Sequence, residues 1–133
     1  MVGSMSQDSR HFQVADPFGR TWDVEFRWQQ NAISIRHADA VDCKYYISCG
    51  DDRRELVVAL RHPDLLKLAA ERGRPLTDAW VIRLAGHHVR HMISTWEDMD
   101  KVLVTAPYGD LVRHSLAIAE EEERERERAA TSR

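Results

Sequence analysis

Apolar residues fall on every second position between Thr21 and Leu60, and from Pro63 to about Ile118 they recur at intervals of three and four. The first period is that of half-buried strands and the second that of amphipathic helices. The pattern predicts an α+β domain: an antiparallel β-meander of four to five strands over about 12–60, followed by three main helices packed on one of its faces.

Phe12 and Val14 mark a short first strand, and Asp16-Pro17-Phe18-Gly19 puts Asp, Pro and Gly where a type I turn favours them. In Thr21–Trp28, Trp22, Val24, Phe26 and Trp28 share one parity while Asp23, Glu25 and Arg27 share the other. A two-residue turn at Gln30-Asn31 then sets Trp28 opposite Ile33, Phe26 opposite Ile35 and Glu25 opposite Arg36, matching apolar to apolar and acid to base. After a connection over 38–42, a second turn centred on Asp51-Asp52 sets Ile47 against Leu56, Tyr45 against Val58 and Cys43 against Leu60.

Pro63 and Asp64 favour a helix start, and Gly73 can end that helix in the left-handed region. Thr77 caps a second helix, from Asp78 to about Ser94, whose apolar face holds Val81, Leu84, Ala85, His88, Val89, Met92 and Ile93. Thr95-Trp96-Glu97-Asp98 resembles a capping box and predicts a short helix or a bend. The run 101–105 reads equally as helix or strand. A third helix follows Pro107, with Leu111, Val112, Ser115, Ile118 and Ala119 as its stripe, which stops at Glu120. From there to Arg128 only Glu and Arg occur, with Glu120–Arg124 and Glu122–Arg126 in the favourable i,i+4 order.

The domain boundaries follow. Residues 1–10 are polar and aperiodic, and Gly3-Ser4 before a second methionine, Met5, reads as disordered chain or a cloning remnant. Residues 11–119 form one α+β domain, and 120–133 a charged helical tail that extends past the core and is dispensable for folding.

A chain of 133 residues has room for one core. Its composition, 43% hydrophobic and 31% charged, is that of a globular protein, with no apolar run near the ~20 residues of a membrane span and no signal-like N-terminus. The expected location is cytoplasmic. Cys43 and Cys49 sit about 20 Å apart along one predicted strand and are expected to be reduced thiols. The net charge of −3 weighs against a general affinity for nucleic acid.

Candidate chemistry centres on His87-His88-Val89-Arg90-His91. His87 and His91 are helical i,i+4 neighbours, the spacing by which two imidazoles grip one divalent transition-metal ion, and His62, His114 or a carboxylate is the candidate third ligand. His88 points to the apolar face and stands apart from that pair. The glutamate that would make the motif a metalloprotease is missing, so a surface histidine pair is the simpler reading. A second group, His37, Cys43 and His88, could join a thiol to an imidazole base, against which stands the usual role of a buried cysteine as a small core side chain. Trp22, Phe26, Trp28 and Tyr45 with Arg27, Arg36, Arg53 and Arg54 around them could form a base-stacking platform, but the rings have the parity of the core face while Arg27 and Arg36 project to the other side, so rings and charges are not interleaved on one surface.

With no assembled catalytic motif, the expected function is that of a small cytoplasmic interaction or regulatory domain. It is expected to lack catalysis, to need no cofactor and to associate with a protein partner or with itself as a homodimer. A sheet covered on one side leaves a face with Tyr46, Val57 and Ala59 among Lys44, Ser48 and Arg61. The alternative is a metal-dependent enzyme or metal-binding protein that uses the helical histidine pair.

Overall fold

The computed structural model describes residues 10–32 and 40–131. The elements are β1 (His11–Ala15), β2 (Thr21–Ala32), β3 (Ala40–Cys49), β4 (Asp52–Arg61), α1 (His62–Arg72), α2 (Asp78–Thr95), β5 (Leu103–Thr105) and α3 (Tyr108–Thr131). The strands form one sheet in the order β1-β2-β3-β4-β5. Its first four strands pair antiparallel as a meander, and β5 joins β4 in parallel. The ambiguous 101–105 run is therefore a strand over its last three residues, delivered to the sheet edge by the α1–α2 crossover. The α+β plan expected from the change of period is the one observed.

Asp16 organises the β1–β2 turn. Its carboxylate accepts hydrogen bonds from the backbone N–H of Phe18 (2.8 Å) and Arg20 (2.9 Å), from Arg20 Nε (3.1 Å) and from Trp22 Nε1 (3.0 Å). Gly19, at φ 90°, supplies the left-handed residue the turn needs. Burial pushes the Asp16 carboxyl up, and the four donors outweigh it and hold the group at about 2.

The β3–β4 turn is Gly50-Asp51, two residues long and with Gly50 at φ 59°. Glycine adopts that conformation freely, which places the turn one residue earlier than the Asp51-Asp52 centre. Tyr45 thus faces Leu56 and Cys43 faces Val58. The register moves by two, so every side chain keeps its face.

The β2–β3 connection departs further from expectation. Gln30 and Asn31 do not turn: β2 runs through them and pairs with β3, Gln30 opposite Asp42 and Asn31 opposite Val41. The expected partners Ile33, Ile35 and Arg36 lie outside the described residues. Pairing between Phe26↔Tyr45 and Trp28↔Lys44 is interrupted by one extra residue, Arg27, which makes a β-bulge. The bulge reverses the parity of the strand, so Trp28 shares a face with Lys44 and not with Phe26.

Helix ends follow their signals. Pro63 lies in the first turn of α1, and Gly73 at φ 65° lets the N–H groups of Gly73 and Arg74 cap the carbonyls of Ala70 and Ala69. Thr77 Oγ1 accepts from Trp80 N (3.2 Å) at the start of α2. The segment after α2 is a turn in which Trp96 and Asp98 take positive φ.

One core joins the layers. Trp22, Val24, Cys43, Tyr45, Val58 and Leu60 from the sheet meet Leu65 and Leu68 of α1, Trp80, Leu84 and Met92 of α2, and Leu111 and Ile118 of α3. All three helices contribute to this core and so lie on the same side of the sheet. The other side carries cross-strand rows: Glu25–Tyr46–Glu55, then Trp28–Lys44–Val57–Leu103, then Gln30–Asp42–Ala59–Thr105.

The charged tail is not wholly free of the core. α3 continues unbroken to Thr131, and its Glu121 and Glu122 reach back to α2 and to the chain after α1. Arg83 bonds Glu121 at 2.6 Å and Glu122 at 3.5 Å, and Arg74 forks onto Glu122 at 3.1 and 3.2 Å. The docking is polar, which is why the absence of an apolar stripe did not reveal it.

Candidate functional site

Four imidazoles meet where α2 crosses α3. His87, His88 and His91 come from α2 and His114 from α3. His88 and His114 are buried, at 3% and 6% exposure, and His88 Nδ1 lies 3.1 Å from His114 Nε2, one nitrogen donating and the other accepting. Around His114 the ring centroids of His88, His91 and His87 stand at 5.3, 6.0 and 6.1 Å, and His88 is 5.9 Å from His91.

The outer histidines are held by carboxylates. His87 Nε2 lies 3.1 Å from Glu121 Oε2, the residue that Arg83 also grips, and His91 Nε2 lies 3.1 Å from Glu97 Oε1. Burial lowers the pKa of His114 to about 3, and repulsion from His88, His87 and His91 adds to this against the opposing pull of Asp110. Burial likewise lowers His88 and His87, despite Asp110 near the former and Glu121 beside the latter. His87, His88 and His114 are thus all biased toward the neutral imidazole.

Of the residues singled out from sequence, His87, His91 and His114 are brought together, while His62 opens α1 and makes no ring contact with them among the described residues. His88 corrects its expected isolation, because it is the ring nearest His114. Its helical direction was read correctly as inward, but from the sequence nothing showed that another histidine would come to meet it there. As the side chains stand, no three His, Cys, Asp or Glu among the described residues are arranged to hold a metal ion.

The other candidate groups fare differently. Cys43 is fully buried, and burial, with Asp42 and Asp78 adding to it, pushes its thiol up to about 12, far from a nucleophile's range. His37 lies outside the described residues. The aromatic platform does not exist as one surface: Trp22 and Tyr45 are sealed in the core, Phe26 is half-buried beside them, and Trp28 is on the opposite face. Arg54 stacks on Trp22 and Trp96 at 5.2 and 5.4 Å, and Arg36 lies outside the described residues.

The open sheet face is the second notable surface. Trp28 is 39% exposed, Tyr46 40% and Leu103 60%. Lys44 sits between the two rings, 5.8 Å from Trp28 and 5.4 Å from Tyr46, and the Arg27 guanidinium lies 4.9 Å over Tyr46. The cations are already paired, Lys44 with Glu55 at 3.1 Å and Arg27 with Glu25 at 3.3 Å. Periodicity assigned Trp28 to the core; the bulge that turns it out left no mark in the hydrophobic pattern.

Compared with family models, curated proteins and solved structures, the chain matches none. No helix among the described residues is long and apolar enough to cross a membrane.

Proposed function

We propose that the protein is a small interaction or regulatory domain without catalysis, which self-associates through the open face of its sheet. The observation that carries this reading is the row Trp28–Lys44–Val57–Leu103, which runs across four strands with two of its apolar members well exposed. Exposed aromatic and aliphatic groups rimmed by charges favour association.

A second copy of the chain is the partner that fits. Around the exposed rings the charges are matched in two pairs, Arg27 with Glu25 and Lys44 with Glu55, so an identical patch meets no net repulsion there. Because those charges are paired within each chain, covering them strands none of them. The three long strands, at about 4.8 Å between strands and 3.3 Å per residue, span about 500 Å² in projection. With β1, β5 and the rim the face approaches the ~800 Å² per partner of a standard interface. The free thiols of Cys43 and Cys49 fit a reducing, cytoplasmic setting.

Sedimentation across a concentration series tests the reading. The native chain is expected to dimerise, and Trp28→Glu with Tyr46→Glu to weaken the dimer at least tenfold while leaving circular dichroism unchanged. A native chain that stays monomeric throughout, or a dimer indifferent to both substitutions, removes self-association through this face.

A further inference from the structure

We infer that His88, His114 and His91 form the binding site of one divalent first-row transition-metal ion, which staples α2 to α3. The starting point is the approach of His88 Nδ1 to His114 Nε2 at 3.1 Å, from two different helices and at near-complete burial. Two imidazole nitrogens on one tetrahedral ion, each at 2.0–2.1 Å, stand about 3.3 Å apart. The pair is therefore already at ligand spacing; the ring that now donates would shift its proton to its other nitrogen, so that both rings ligate as neutral imidazoles.

The third ligand follows from the ring positions. Three imidazoles on one tetrahedral ion have their centroids about 5 Å apart, and the observed separations of 5.3, 5.9 and 6.0 Å among His88, His91 and His114 exceed this by at most about 1 Å. His91 must move inward by that amount: as the side chains stand, His88 Nδ1 and His114 Nε2 approach each other, and no three donors among the described residues are arranged to hold an ion. Its side chain is 25% exposed, so the ring has room to move and solvent can reach a fourth position beside it. Glu97, 3.1 Å from His91 Nε2, leaves Nδ1 as the ligating atom and orients the ring from behind, the role a carboxylate plays toward many ligating histidines.

His87 is excluded by its setting. Its ring stacks on that of His114 with 27° between planes, and its Nε2 is committed to Glu121. A donor set of neutral imidazoles, without thiolate or ligating carboxylate, suits Zn(II), Co(II) or Ni(II) over Mg(II) or Ca(II). Burial keeps His88 and His114 in the deprotonated form a metal requires.

The test uses the full chain without a histidine tag, stripped by chelator and titrated with Zn(II) by calorimetry and with Co(II) by visible absorption. One ion per chain, a d–d spectrum of tetrahedral strength and a rise in thermal midpoint with Zn(II) are expected. His91→Gln, at a partly exposed position that tolerates change, should weaken binding at least tenfold, and His114→Gln should abolish it; His87→Gln should leave affinity within twofold. Should His114→Gln fail to fold, His91→Gln decides alone. Absence of binding, or binding lost with His87→Gln and kept with His91→Gln, overturns the assignment. Because the ligands lie across the sheet from Trp28, dimerisation and metal binding are read separately, and either can fail without the other.

Discussion

Two buried polar groups, the Asp16 corner and the His88–His114 seam, solve the same problem in opposite ways. Asp16 is an ion whose oxygens accept four hydrogen bonds from its own turn, so its charge is fully compensated. The seam holds neutral rings that share one direct bond and resist protonation. The first arrangement spends all its hydrogen-bonding capacity on the fold. The second rests on a single bond between two rings, so a ligand that took its place would displace one hydrogen bond and not four.

The sharpest way to break the comparison is at the corner. Asp16→Ala leaves the N–H groups of Phe18, Arg20 and Trp22 without their acceptor, and a fall in Tm of about 10 °C is expected by calorimetry. Asp16→Asn, which keeps one acceptor oxygen, should lose less.

The corner also makes a pH prediction. Asp16 is held at about 2 when folded, below its value in the unfolded chain. The stability it contributes is complete above the unfolded pKa, near 4, and is lost as pH falls through about 2. Urea midpoints measured between pH 5 and pH 2 should decline for the native chain, with a shallower decline in Asp16→Asn from an already lower start. Equal slopes would show that the acid limb arises elsewhere.

At the seam the expected signs differ. His114→Ala alone leaves His88 facing a void and should cost about 1–3 kcal/mol. Replacing both rings with Phe and Leu should come close to neutral, because no donor or acceptor is then stranded. A double-mutant cycle by urea denaturation checks this; a double variant as damaged as the sum of the singles would mean the seam is committed structure like the corner.

The tail gives the smallest effects. Ending the chain after Ala119 removes Glu121 and Glu122 from Arg74, Arg83 and His87, part-exposed bridges worth about 1 kcal/mol together once solvent screening is counted. Ending it after Glu125 should change the urea midpoint by less than about 0.5 kcal/mol equivalent.

Much of this was legible from residue order because it depends on period and on local caps. The switch from two to 3.6 separates sheet from helices, Pro63, Gly73 and Thr77 mark real helix ends, and parity survives a register error of two at Gly50-Asp51. What was illegible depends on chain meeting chain. The bulge at Arg27 reverses Trp28 without disturbing the apolar pattern, and His88 and His114, 26 positions apart, become neighbours only when α3 packs on α2. The reach of Glu121 to Arg83 is of the same kind: an i,i+4 reading of the tail pairs its charges along the helix, whereas the structure pairs two of them across it.

The order of elements has a consequence for synthesis. The meander is complete at Arg61, but its apolar side is covered only by helices that follow, the last of which ends at Thr131. At about 5–20 residues per second the ribosome needs several seconds to make the remaining 70 or so residues. For that interval Val24, Cys43, Tyr45 and Val58 are on offer to any neighbouring chain. The nascent protein is then most exposed to aggregation and most dependent on a chaperone, and mutations that slow α2, rather than those that loosen the finished sheet, should be the ones that lower its yield in cells.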